Sequence, residues 1–150
     1  MGGVYESIVV GTDGSETAKR AVAEATRLAK ALGGELHLVS AYEPLRGVHI
    51  AGAREGAAEV LDIKPDAAVQ SVVEEAAALV RMSGVEVKAH TLTGDPANSL
   101  LEVAEQVKAG LIVVGNRGMH GMTRVLGSVP NKVSHHANCS VLIVSTDVRD

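Results

Sequence analysis

Two glycine-bearing segments hold most of the residues able to do chemistry. The first is Gly115-Asn116-Arg117-Gly118, followed by Gly121, Gly127 and Ser128. Glycines spaced this way free the backbone to take positive φ and to approach a ligand with no Cβ in between. Ser128 reads as the cap of a short helix, where backbone N–H groups and the positive end of the helix dipole face outward. A hydroxyl beside such a terminus makes an anion such as phosphate the natural guest. Arg117 and Arg124 add positive charge on a chain that is acidic as a whole. No lysine stands in a GxxxxGK[ST] frame and the spacing is not GxGxxG, so neither standard nucleotide fingerprint applies. The same glycines would also suit a plain turn.

The second segment is Gly11-Thr12-Asp13-Gly14-Ser15. Asp13 has the type and position to cap a following helix, with Glu16 three residues on as in a capping box, and equally to meet a polar ligand. The other reactive side chains do not assemble. His135 and His136 are adjacent, so on a helix they diverge by roughly 100° and cannot share a metal from one face. His37 and His90 lie on strands and are expected to point outward, and His49 falls in a long loop. His120 sits inside the glycine-rich segment. Cys139 has no evident His or Asp partner, and Asp95 reads as a helix cap rather than a base. No nucleophile, base and orienting group come together.

The elements that must position these segments alternate. Ser7–Gly11 is a short β-branched run ending in glycine. Ala18, Ala21, Val22, Ala25, Leu28, Ala29 and Leu32 then keep helical spacing up to a Gly33-Gly34 stop. Leu36–Ala41 reads as the second strand, and residues 43–65 show no sustained period and read as a long loop. Val69 to Val80 marks a second helix ending at Gly84, and Val85–Leu92 a third strand. Asp95-Pro96 opens a third helix, with the carboxylate as N-cap and proline at N1; it stops at Gly110. Leu111–Val114 is an apolar fourth strand, a glycine-rich loop runs to Gly127, and a short fourth helix carries Pro130 in its first turn. Val141–Val144 closes as the fifth strand. This alternation predicts an α/β fold: a doubly wound, five-stranded parallel sheet with helices on both faces, in one domain over residues 1–150. Ligands of such sheets bind outside the carboxyl ends of the strands, where the strand order reverses, and both glycine segments fall there.

Composition bounds the partners. The chain has 150 residues with 14 Lys+Arg against 18 Asp+Glu, a formal charge of −4, which speaks against a general nucleic-acid binder. Phe and Trp are absent and Tyr5 and Tyr42 are the aromatics, so there is no stacking platform for single-stranded bases and little to sandwich a flavin. One cysteine forms no internal bridge. No apolar run approaches a membrane span and the start carries no secretory signature, so a cytoplasmic location is expected.

The stretches IVVGTDGSETAKRAV, SAY at the end of strand two, LTGDPANSLLEVAEQVKAGLIVVGNRG and LGSVPNKVSHHANCSVLIV together resemble the universal stress proteins. The resemblance runs over nearly the whole length. Nucleotide-binding members of that family carry Gly, two residues, Gly, nine residues, then Gly with Ser or Thr. Gly115, Gly118, Gly127 and Ser128 fill these places, but eight residues, Met119 to Leu126, separate the last two glycines. A single phosphate needs fewer loop contacts than three. The GNxG and GSVP stretches look most like an actinobacterial branch, some of whose members bind cyclic AMP in preference to ATP. The resemblance implies a Rossmann-like fold with strand order 3-2-1-4-5 and an adenine nucleotide, ATP or cyclic AMP, with magnesium accompanying ATP. It assigns Gly11, Thr12 and Asp13 to the adenosine side, Asp13 near the ribose or a metal, and the backbone of Ala41 to the adenine edge. Gly115, Arg117, Gly118, Gly127, Ser128 and Val129 would surround phosphate. It further implies a homodimer through the last strand, Val141–Val144, and a binding module rather than an enzyme. A slow ATPase relying on Asp13, and a dimeric interaction protein that needs no nucleotide, are the rival readings.

Overall fold

The computed structural model describes residues 4–42, 67–116, 119–120, 123–124 and 127–145. The elements run β1 (Ser7–Gly11), α1 (Glu16–Leu32), β2 (Glu35–Tyr42), α2 (Ala67–Met82), β3 (Val87–Thr93), α3 (Pro96–Val107), β4 (Leu111–Gly115), β5 (Met119–His120), β6 (Thr123–Arg124), α4 (Ser128–His136) and β7 (Ser140–Val144). Five strands form one parallel sheet in the order β3-β2-β1-β4-β7. With the short β5–β6 pair set aside, this is the expected order 3-2-1-4-5.

The two faces of the sheet divide the helices between them. Ile8, Val10, Leu36, Leu38, Leu111 and Val113 face α1 and α2, whose buried stripe is Ala21, Ala25, Ala29, Val73, Ala77 and Val80. Val9, Val39, Ile112 and Val114 face α3 and α4 through Leu100, Val103, Ala104 and Val133. Central strands buried on both sides explain the wholly apolar runs seen in the sequence. Each fully buried Val, Leu or Ile contributes about 1.5–3 kcal/mol. Alanine on α1 permits close approach to the sheet in a chain that has no Phe or Trp.

The ends of the elements follow local chemistry, with some departures from expectation. α1 ends at Gly33 (φ 73°), whose N–H returns to the Ala29 carbonyl, as the Gly33-Gly34 stop predicts. α3 instead ends two residues before its expected glycine, because Lys108 itself takes the left-handed conformation (φ 54°) and its N–H closes on Ala104 and Glu105. Gly110 serves another purpose: an added Cβ would overlap the Val4 carbonyl. The third strand starts at Val87 rather than Val85. Val85 is buried in the turn before it, so its apolar character reported burial and not pairing.

The histidines on the strands are a further correction. His37 points inward and is 1% exposed. Its Nε2 lies 2.8 Å from Glu35 Oε1 and its Nδ1 2.9 Å from His90 Nε2, so both ring nitrogens are satisfied and burial costs little. Strand placement alone assigned these side chains to solvent; the second face, covered by α3, reversed that for His37. The expected loop over 43–65 and His49 lie outside the described residues.

Candidate functional site

β1 and β4 are neighbours, yet the chain leaves them in opposite directions, β1 through α1 towards β2 and β4 through α4 towards β7. Just past their carboxyl ends a cavity of about 430 Å3 opens, bounded by the ends of β1, β2 and β4 and the first turns of α1, α3 and α4. This is the strand-order reversal where doubly wound sheets take ligands.

The turn after β1 is held by its own side chains. Thr12 N donates to the Val39 carbonyl at 2.9 Å, tying the strand end to β2. Gly14 N donates to Thr12 Oγ1 at 3.3 Å, and Ser15 N to Asp13 Oδ1 at 2.9 Å. Ser15, not Asp13, is the N-cap of α1, and its Oγ accepts from Ala18 N at 3.2 Å. The expected Asp13–Glu16 capping box is therefore not formed; Asp13 caps the turn two residues ahead of the helix instead. Gly14 carries φ +81°, which favours glycine there.

α4 begins differently from the sequence expectation as well. Its N-cap is Gly127, which offers no side-chain acceptor, and Ser128 is the first helical residue. Gly127 has φ −58°, so its lack of a side chain is not demanded by backbone conformation. The N–H groups of Ser128 and Val129 have no carbonyl four residues back within the helix, and Pro130 has none to satisfy. These groups border the cavity. By contrast, the start of α3 is closed as predicted: Asp95 Oδ2 accepts from Asn98 N at 2.9 Å and from Lys132 Nζ at 3.3 Å. The Asn98 N–H, and after it Lys132, hold the Asp95 carboxyl below its ordinary range.

The far wall is apolar, with Val39, Leu100 and Val114. Ala41 adds a backbone edge there. The Val39 carbonyl faces β1, where it accepts from Thr12 N, and strand geometry turns the N–H and C=O of Ala41, two residues on, to the same side. β1 has ended at that level, since its last paired residue is Gly11 opposite Val39. An apolar slot with a backbone edge suits a flat heterocycle, and the terminus of α4 suits an anion. Among the described residues, Asp13 is the charged side chain on the wall, and Thr12, Ser15, Thr17 and Ser128 supply hydroxyls.

Gly11, Thr12, Asp13, Ala41, Gly115, Gly127, Ser128 and Val129 all line this one cavity. Arg117 and Gly118 lie outside the described residues, as does any side-chain account of His120 and Arg124. The backbone at Met119–His120 pairs antiparallel with Thr123–Arg124, a ladder the glycine-rich composition did not announce. The sequence reading missed Thr17, Ala18, Leu100, Pro96 and Val114 as wall residues. Ala18, Leu100 and Val114 carry core spacing, Pro96 reads as a helix start, and only their place near the start of a helix or the end of a strand could have signalled a cavity. Elsewhere, His135 and His136 are exposed at the end of α4. Cys139 is half-buried, and burial pushes its thiol up from the ordinary value. No cluster of three metal-ligating side chains occurs among the described residues, and none of their helices is long and apolar enough to cross a membrane.

Known proteins are similar to this chain in sequence and fold. A universal stress protein of Mycobacterium tuberculosis H37Rv is 36% identical over 152 residues, spanning 95% of this chain and 97% of its own. One from Methanocaldococcus jannaschii is 35% identical over 144 residues, spanning 94% of this chain and 82% of its own. The crystal structure of a universal stress protein in complex with cAMP superposes with a TM-score of 0.73 at 33% identity, covering 95% of this chain and 98% of that one. The family model described as the universal stress protein family matches residues 5–145, and the chain belongs to that family.

Proposed function

We propose that this protein binds an adenine nucleotide in the cavity at the ends of β1, β2 and β4, and that occupancy rather than turnover carries its signal in a stress response. The observation that carries this reading is the convergence of eight sequence-marked residues on one cavity at the strand-order reversal. The adenine edge is met by the Ala41 backbone, the ribose by Asp13, and phosphate by the N–H groups of Ser128 and Val129 with the Ser128 hydroxyl, Gly115, Arg117, Gly118 and Gly127 completing the loop. Cyclic AMP is the favoured guest over ATP. A loop with eight residues between Gly118 and Gly127 has fewer groups for a chain of phosphates, and a similar protein was crystallised with cAMP. Where ATP binds instead, magnesium rides on its phosphates with Asp13 as the carboxylate within reach.

The protein acts as a homodimer through β7, the sheet edge, where Ile143 is 37% exposed and an uncovered apolar edge would invite aggregation. A cytoplasmic setting suits such a nucleotide sensor. Calorimetry against ATP, ADP, AMP, cyclic AMP and GTP tests the reading. Adenine nucleotides bind ahead of GTP and cyclic AMP binds tightest, and inserting one glycine after Met119 moves preference towards ATP. Equal binding of GTP defeats the adenine assignment. Phosphate release stays at background; a turnover of about 1 s⁻¹ that disappears in Asp13→Ala establishes the ATPase alternative.

A further inference from the structure

Away from the cavity, Glu35, His37 and His90 form an unbroken chain of side chains across the β2–β3 seam. His37 is 1% exposed, its Nε2 is 2.8 Å from the Glu35 carboxylate, and its Nδ1 is 2.9 Å from His90 Nε2. The two rings are 5.1 Å apart between centroids and tilted by 35°. An imidazole nitrogen facing a carboxylate carries a hydrogen, so Nε2 of His37 is a donor. The contact between the two rings then holds one hydrogen, because one nitrogen must offer a lone pair to the other.

That single shared hydrogen sets what the pair tolerates. With both rings neutral, His90 Nε2–H donates to His37 Nδ1. With one added proton the chain is still complete: either His90 becomes the cation and keeps donating, or His37 becomes the cation, donates to His90, and lies against Glu35. A second added proton places hydrogens on both facing nitrogens and two cations side by side, His37 buried and His90 half-buried. The hydrogen bond is then lost. We propose that the Glu35–His37–His90 chain is an acid-sensitive latch on the edge strand β3, which holds through one protonation and releases β3 from β2 on the second.

The surroundings favour this behaviour. On β3, Lys88 opposes His37 in register, and the exposed Glu86 immediately precedes the strand. On β1 the residue opposite His37 is the apolar Val9. On α3, which covers this face, Glu102, Glu105 and the C-cap Lys108 are all exposed, and the buried contacts are apolar. Glu35 is thus the one carboxylate in direct contact with the pair among the described residues. It stabilises one positive charge and not two. Burial, then His37 and Lys88, push the His90 pKa below its usual value. A group with its folded pKa lowered gives full stability above its unfolded value, near pH 6.5, and loses it as pH falls below. β3 is the strand such a loss would free first, since it is an edge strand paired to β2 alone.

The test compares wild type with His90→Gln, whose amide N–H still donates to His37 Nδ1 but does not titrate. Between pH 7.5 and 5.0 the unfolding equilibrium constant of wild type should rise at least about tenfold more than that of the variant. Amide exchange, corrected for its intrinsic pH dependence, should accelerate at Lys88, His90 and Leu92 before it does in β1. Imidazole nitrogen NMR on wild type gives an independent reading: one ring takes a proton and the other resists until the β3 signals broaden or shift. Parallel stability profiles for the two proteins overturn the proposal. So do two rings that both become cationic with ordinary midpoints while β3 stays protected, and the wild-type titration decides the matter even if His90→Gln does not fold.

Discussion

The two ends of the sheet use glycine for opposite purposes. At the amino ends of the strands, Gly34 and Gly110 sit where a Cβ would overlap the backbone carbonyls of Tyr5 and Val4 respectively. Backbone cannot rotate away as a side chain can. At the carboxyl ends, a Cβ on Gly11 would meet Leu100 Cδ2 at 3.3 Å, the tip of a flexible side chain, and Gly127 borders open cavity with an ordinary φ. The first pair is required by the fold itself, whereas at Gly11 the neighbour is a side chain that can yield and at Gly127 the backbone conformation makes no demand for glycine. Glycines bordering a cavity at this end leave the backbone open to a ligand approaching it.

Substitutions at each end test that contrast. The largest effect is expected at Gly110→Ala, which forces the Val4–Tyr5 segment to move. Its cost of about 2–3 kcal/mol, typical of overpacking, should appear as a lower urea midpoint, with nucleotide affinity of the folded protein unchanged. Gly127→Val places a branched Cβ on the cavity wall. Affinity should fall at least about tenfold, roughly 1.4 kcal/mol, while the urea midpoint moves by less than the Gly110 variant's. A folded Gly127→Val protein with unchanged affinity would falsify the phosphate site over residues 115–129 and erase the distinction between the two ends.

Asp95 is the control on the cavity side, since its work is structural. Asp95→Ala removes the α3 cap and should cost about 1 kcal/mol with or without nucleotide. Because Asn98 N–H and Lys132 hold its carboxyl below the ordinary range, that contribution is present above about pH 4 and fades as pH falls further, so wild type and variant should converge in acid. Gly11→Ala should do least. Leu100 can yield by a few tenths of an ångström, and a midpoint shift worth about 0.5–1 kcal/mol is expected. A loss at Gly11 as large as at Gly110 would mean that both sheet ends are packed to the same tolerance.

Local signals made much of this legible. The caps at Asp95 and Gly33 were readable because each is decided within a few residues, by a side chain reaching the next turn or by one left-handed residue. The cap of α1 was misplaced by two positions, since Asp13 and Ser15 both have capping side chains and only the path of the turn after β1 chooses between them. Of the cavity, the polar and glycine residues stood out and the apolar wall did not. Leu100 and Val114 carry the same spacing whether they meet another side chain or empty space.

By itself the sequence determined the order of elements and the parallel α/β class, because apolar periods of two and 3.6 residues and short-range caps depend on neighbours in the chain. It also marked the two glycine segments whose described residues line one cavity. Tertiary structure alone decided the direction of His37, the close approach that makes Gly110 necessary, and the vacancy between Leu100, Val39 and Val114. Each of these depends on which distant backbone or helix covers a given face, and a chain read one residue at a time does not contain that distance.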